Sequence, residues 1–253
     1  MRAVIVSVLL ALCLPAGAAV ASESGPALSP GISINLSDTM ALQRGARDFF
    51  NSCSGCHSLQ YVRYSQLQTD LGLTAKEVET NFIFTGKKIG DQVTVAMPEA
   101  RAAKWFGIAP PDLTDVARVR GADWLYRYLT GFYLDSSRPS GVDNIAFPKV
   151  AMPDVVWQMQ GWQAPVYSQV RNADGTLEKV ITGLQQVQPG TMTPAQFHSW
   201  VQDVVTFLVY TSYPHKLESD HLGVWITLLL VLFTILAYLL KKAYWEDVHH
   251  PAA

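Results

Sequence analysis

Cysteine is scarce in this chain of 253 residues: there are three, and Cys13 lies in the apolar N-terminal stretch. A zinc site needs about four ligands, so the remaining pair, Cys53 and Cys56, is too few for one. An excess of charge is missing as well. Nineteen Lys and Arg face 21 Asp and Glu, a net charge of −2, and a nucleic-acid partner would call for a basic face. Long apolar runs are few. Hydrophobic residues make up 49%, near the globular average, which argues against a disordered tail and against a protein of many membrane spans. There is no internal repeat and no low-complexity tract. No convincing acid, base and nucleophile set appears either: His198, His215, His221, His249 and His250 are scattered.

Two segments stand apart from the body. Residues 1–21 have Arg2 at the start, an apolar stretch from Val4 to Leu14 and the small-residue pattern Ala19-Val20-Ala21. This is the pattern of a secretory signal peptide; the run is short for an anchor and ends at Pro15 and Gly17. Residues 222–240, LGVWITLLLVLFTILAYLL, carry no charge and approach the ~20 residues that cross a bilayer. Trp225 lies near one end, and Tyr238, Tyr244 and Trp245 near the other. Lys241 and Lys242 follow, and such residues favour the cytoplasmic side. The expected organisation is a signal peptide over 1–21, an exported domain over 22–221, one transmembrane helix over 222–240 and a short cytoplasmic tail over 241–253.

Within the exported body stands NSCSGCHSLQYVRY, residues 51–64. A disulfide or a thioredoxin-like pair would use two cysteines, but neither requires the histidine that follows. Cys-x-x-Cys-His is the attachment motif of c-type haem. Two thiols add to the vinyl groups of one covalently bound haem c, and the spacing lets one turn present both sulfurs to the ring edge. His57 then supplies the axial imidazole.

The surrounding sequence predicts helices. Ser37 or Asp38 caps a helix through TMALQRGARDFFNS, with Leu42, Ala46, Phe49 and Phe50 on one side. Gly45 and Phe49 share a face, where Gly admits a close neighbour and Phe fills the adjoining gap. Thr74 and Glu77 form a capping box. A loop-rich stretch punctuated by Gly and Pro follows, and residues 123–130 read as a helix rich in aromatics. Alternating apolar residues around Asp174-Gly175 predict a β-hairpin. Thr193, Pro194 and Gln196 open a further helix with an apolar stripe of Val201, Val204, Val205 and Leu208. That helix is the expected partner of Gly45 and Phe49, and Pro214 ends it before a short polar linker to the membrane.

A sixth ligand would turn the iron into an electron-transfer centre of raised potential, whereas an open iron permits ligand binding or catalysis. Two Ala-Met-Pro motifs, at Met97 and Met152, offer a thioether, and spacing does not choose between them. Met40, Met159 and Met192 are weaker candidates, since Met is more often gap-filling core.

The stretches CSGCHSLQYVRY, MPEARAAKWFGIAPPDLTDVARVRGADWLYRYLTGFY, FPKVAMPDVVWQMQG and DVVTFLVYTSYP, with the C-terminal span, closely resemble the cytochrome c1 family, the haem subunit of the cytochrome bc1 complex. The resemblance runs in order over nearly all of the chain after residue 21. It implies a mostly α fold: a class I cytochrome c-like haem domain with loop-rich insertions and a small β-hairpin, plus one C-terminal transmembrane helix. It selects Met152 as the second iron ligand beside His57. It implies that Pro110 and Pro111 pack on the histidine side, where a backbone carbonyl accepts the ring N–H, and that Arg120 and Arg118 pair with propionates. The implied function is electron relay from the Rieske iron–sulfur protein to a c-type cytochrome, soluble or membrane-bound, with cytochrome b as membrane partner. No independent catalytic site and no nucleic-acid partner are expected, and the implied place is a bacterial inner membrane with the haem domain in the periplasm. Mitochondrial members carry a strongly acidic segment where this chain has the short, mixed DLGLTAKEVETNFIFTGKKIGDQVTV, so a less basic or membrane-bound acceptor is expected. The rivals are a haem enzyme with an open iron and a gas or redox sensor.

The attachment motif sets the first prediction. Replacing both Cys53 and Cys56 by alanine should abolish haem staining on denaturing gels, and covalent haem in that double variant would overturn the motif reading.

Overall fold

The computed structural model describes residues 31–171 and 176–249. The expected signal peptide, the Asp174-Gly175 turn and the last four residues of the tail lie outside the described residues. In chain order the elements are α1 (Thr39–Ser52), β1 (Leu59–Arg63), α2 (Tyr64–Asp70), α3 (Ala75–Phe82) and β2 (Gln92–Val93). Then come α4 (Glu99–Phe106), α5 (Val116–Arg120), α6 (Ala122–Thr130), β3 (Phe132–Leu134) and β4 (Val142–Asn144). The chain closes with α7 (Trp157–Gln160), β5 (Gly161–Arg171), β6 (Leu177–Pro189), α8 (Pro194–Ser212) and α9 (Lys216–His249).

Helix starts follow the chemistry of their caps. Asp38 accepts from the Ala41 N–H at 3.0 Å and opens α1. Both capping boxes form, Thr74 with Glu77 at α3 and Thr193 with Gln196 at α8, each satisfying amides that the first turn leaves unpaired. The buried stripe of α1 holds Leu42, Gly45, Ala46, Phe49 and Phe50, and it lies against α8.

The two helices nearly touch at Gly45. A Cβ there would clash with the Asp203 carbonyl oxygen and stand 2.8 Å from Phe207 Cβ, so only glycine fits. Phe49 fills the space beside it, its ring 5.6 Å from that of Phe207. Arg44 clasps the Asp203 carboxylate at 2.6 and 3.0 Å, a partly exposed ion pair worth about 0–1 kcal/mol. Apolar burial therefore dominates this contact. Phe49, Val201, Val204, Val205 and Phe207 are each at or near zero exposure. Burying each such side chain contributes roughly 1.5–3 kcal/mol.

The stretch expected to be loop-rich contains more regular structure than its Gly and Pro content announces. α4 lies between Pro98 as N-cap and Gly107, which ends it with φ 82°. β1 pairs antiparallel with β2, and β3 with β4 through Phe132–Asn144, Tyr133–Asp143 and Leu134–Val142. The expected hairpin is present as β5 and β6, running from Gly161–Pro189 to Arg171–Leu177. It is the long one of the three two-stranded sheets described.

α9 is also longer than the apolar run. Glu218–Trp245 is long and apolar enough to cross a membrane. The stretch after Pro214, expected as a linker, belongs to the helix from Lys216 on, and there Lys216 reaches Asp220 at 3.3 Å. Leu229 and Phe233 are 64% and 67% exposed, so the helix is not a core helix of this chain; an apolar surface of that kind needs apolar surroundings. Thr227 and Thr234 donate their hydroxyls to the carbonyls of Gly223 and Leu230, each at 2.7 Å. These two hydroxyls are thus paired within the helix itself, as a bilayer interior demands.

Gly45→Ala should destabilise the detergent-solubilised protein by about 2–4 kcal/mol, because the forced separation outweighs the ~1 kcal/mol gain in helix propensity. Gly223→Ala, which meets nothing within 4 Å, serves as the control. Denaturant unfolding of both, followed by circular dichroism, makes the comparison; equal midpoints would remove the packing argument.

Candidate functional site

α1 ends at Cys53, whose N–H still donates to the Phe49 carbonyl at 2.8 Å. The next turn stays tight: the N–H groups of Cys56 and His57 donate to the Cys53 carbonyl at 3.1 and 2.9 Å. One compact turn therefore carries both thiols and the imidazole. The two thiols are not joined to each other. Burial pushes the Cys53 thiol up to about 12, the behaviour of a structural thiol rather than of a reactive redox pair.

His57 is buried, and its Nδ1 lies 2.7 Å from the Pro111 carbonyl oxygen. A carbonyl can only accept, so Nδ1 carries the proton and Nε2 keeps its lone pair for a metal. Burial lowers the imidazole pKa, opposed by the Pro111 bond, and so favours the neutral, metal-binding form. The Pro111 carbonyl is itself held in place. Asp112 accepts from Ser58 Oγ at 2.6 Å and from the Gln60 N–H at 2.7 Å, and its other oxygen accepts from the Thr114 N–H at 2.9 Å. The Leu113 N–H donates to the Ser58 carbonyl at 2.9 Å.

These groups open on a cavity of about 400 Å3, within the roughly 300–1,000 Å3 of pockets that bury most of a ligand. Cys53, Cys56, His57, Pro110, Pro111 and Met152 all line it. So do Leu125 and Leu129 of α6 and Val204 and Leu208 of α8. Among the described residues lining it, Arg120 is the one permanently charged side chain. Its guanidinium lies 4.9 Å over the Trp124 ring and 5.8 Å over that of Phe147. Arg118 is elsewhere: its guanidinium stands 5.1 Å over the Tyr213 ring, and it is not among the lining residues.

The methionines separate in space. Met152 projects into the cavity wall, and its sulfur accepts from the Tyr128 hydroxyl at 3.3 Å. Met97, two residues before α4, does not line the cavity. Met159 and Met192 pack against the main core, and Met40 is 62% exposed. Just beyond Met152, the buried Asp154 accepts from the Val156 N–H at 3.0 Å, and burial pushes its carboxyl up to about 6. Burial also raises the Tyr128 phenol, which keeps it a donor.

The donor set fits a haem c. Two thiols, a neutral imidazole with one free nitrogen, a thioether, apolar walls and one cation match a flat apolar ring with two vinyls, an iron and carboxylates. The sequence places Tyr128 among the aromatics of the 123–130 helix without a specific task, and it marks no role for Asp112, Asp143 or Asn144. Asp112 sits directly after the two prolines, and that adjacency was the available signal. The others act through contacts 16 or more residues away or through their own loop.

Met152→Leu should open the iron to carbon monoxide, lower its potential and remove the weak near-infrared ferric band, since Met ligation favours the reduced state. Met97→Leu should leave all three unchanged. The reverse pattern would move the thioether role to Met97.

Comparison with known proteins gives one family: residues 33–248 match the model of the cytochrome C1 family. Cytochrome c1 of Allochromatium vinosum is 45% identical over 238 residues, which cover 94% of this chain and 96% of that one. A protein of Nitrosomonas europaea named ammonia monooxygenase gamma subunit is 43% identical over 218 residues, 85% of this chain and 87% of the relative. Cytochrome b/c1 of Bradyrhizobium diazoefficiens is 25% identical over 84% of this chain, which corresponds to 34% of that longer protein.

Proposed function

The chain belongs to the cytochrome c1 family, and from that premise we propose that it relays single electrons from a Rieske iron–sulfur protein to a c-type cytochrome. Family membership makes it a c-type cytochrome of the cytochrome bc1 complex with one covalently bound haem c. The observation that supports the relay best is the meeting of Cys53, Cys56, His57 and Met152 in one apolar cavity. A haem iron with both axial positions filled supplies one-electron transfer without binding a substrate.

The chain's own residues have separate tasks in this reading. Cys53 and Cys56 tether the ring edge. His57 offers Nε2 in an orientation set by the Pro111 carbonyl. Met152 would supply its thioether as the iron's second protein ligand, which favours the reduced state. Leu125, Leu129, Val204 and Leu208 line the cavity and would exclude water from the bound ring. Arg120, the cation at the cavity, would pair with the propionates, a charge-assisted pairing.

Cytochrome b is the membrane partner in this reading, supported by the Bradyrhizobium relative, whose name joins b and c1 in one protein. α9 anchors the chain, with Lys241 and Lys242 on the cytoplasmic side and the haem domain in the periplasm. The name of the Nitrosomonas relative suggests an oxygenase subunit instead. Oxygen activation needs an open coordination site, so ready binding of carbon monoxide by the native protein would favour that role over the relay.

A tag after His250 should bring down, from mildly solubilised membranes, a complex with b-type and c-type haem spectra and a Rieske signal. Adding a quinol should reduce the c-type haem within the preparation. A chain that purifies without b-type haem, or whose haem quinol does not reduce in the complex, overturns the proposal.

A further inference from the structure

A buried polar network stands behind the Met152 side of the cavity, and the relay reading does not use it. Tyr128 is held at both ends. Its backbone carbonyl accepts from Asn144 Nδ2 at 2.7 Å, and its hydroxyl donates to Met152 Sδ at 3.3 Å. Asn144, at the end of β4, is fully buried. Its Oδ1 accepts from the N–H groups of Ala146 and Phe147 at 2.8 and 3.2 Å. The adjacent Asp143 accepts from the Val150 N–H at 3.0 Å. The loop between β4 and Met152 is thus bonded near its start by Asn144 and near its end by Asp143.

The Tyr128 ring has little freedom of its own. It stacks on Trp124 at 5.0 Å and 15°, and meets Phe132 edge-on at 5.3 Å. Methionine is the opposite: unbranched, with three rotatable bonds. A thioether on a loop without strand or helix would sample many rotamers. Here its sulfur meets a rigid donor, and the loop that carries it is tied at its start, through Asn144, to the carbonyl of the same donor residue.

We propose that Asn144 and Tyr128 are positioning residues for Met152, Asn144 fixing the loop and Tyr128 fixing the sulfur while withdrawing electron density from it. The proposal rests on Met152 as the sixth ligand. An O–H that donates to the sulfur leaves less charge for the iron, which favours the reduced state. A phenol buried merely as core filling needs a partner, and its removal would not act through the sulfur.

The test uses the full-length protein in detergent, after staining shows that haem remains attached. Tyr128→Phe keeps the ring and removes one O–H. At a fixed ambient potential the ratio of reduced to oxidised protein should fall roughly threefold, as one net hydrogen bond implies, with the near-infrared band shifted but present. Asn144→Ala should weaken that band and speed carbon monoxide association about tenfold, the scale of losing one to two such bonds. In a Met152→Leu background, Tyr128→Phe should leave the potential where Met152→Leu puts it, because the sulfur that transmits the effect is gone.

A Tyr128→Phe variant with native potential overturns the proposal, as does one whose effect persists without Met152. An Asn144→Ala variant with native band and native carbon monoxide kinetics also overturns it. If Asn144→Ala yields no haem-bearing protein, the potential of Tyr128→Phe and its silence in the Met152→Leu background decide. Loss of the ligand assignment is seen separately, as a Met152→Leu protein with an intact band.

Discussion

The site depends on two backbones in contact. At Gly45 the helix α1 meets the Asp203 carbonyl of α8 with no room for a side chain, and that fixes how the two helices lie together. The consequence travels along both. α1 ends about two turns later at Cys53, so its placement sets where the two thiols and the imidazole stand. α8 presents Val204 and Leu208 to the cavity from the same part of the helix that carries Asp203 and Phe207. Floor and attachment point are therefore positioned by one packing event. The Arg44–Asp203 ion pair adds orientation rather than much energy.

Desolvation then acts on the site in one direction with two signs. It raises the Cys53 thiol and lowers the His57 imidazole. Both shifts favour the neutral form, since burial penalises whichever state is charged. A protonated Cys53 exchanges slowly with other thiols. A neutral His57 keeps a lone pair, and the Pro111 carbonyl decides which nitrogen has it. The permanent charge of Arg120 is kept at the exposed rim over two aromatic faces, where it need not be stripped of water.

What the sequence made legible was local. Asp38, the Thr74–Glu77 and Thr193–Gln196 boxes, the Gly45–Phe49 face and the Cys-x-x-Cys-His turn each involve residues within a few positions of one another. Their chemistry is complete before any tertiary contact forms. α4 was hidden because eight residues between a proline and a glycine resemble a loop when punctuation is weighted above periodicity. The strands β1 to β4 are two to five residues long, too short to show alternation. The two Ala-Met-Pro motifs are locally alike. What separates them is that one follows β4, which is paired with β3, and so reaches the cavity, while the other precedes α4. Such a difference exists only in the folded chain.

The His57 and Met152 sides of the cavity are both served by loops, and this explains the short polar side chains behind them. Loop N–H and C=O groups next to an apolar cavity have neither water nor a ladder to bond with, and leaving them unpaired is costly. Asp and Asn reach neighbouring amides with one or two rotatable bonds, which is why they organise turns. Asp112 does this for the segment behind His57, binding residues 58, 60 and 114. Asp143 and Asn144 do it for the segment before Met152, binding residues 128, 146, 147 and 150. Each loop is therefore shaped by bonds that do not involve the bound group. The ordering entropy of the two loops is met when the chain folds, so the imidazole and the thioether are already oriented. A redox centre gains from that arrangement, because a ligand frame that keeps its shape in both oxidation states has little to reorganise when an electron arrives.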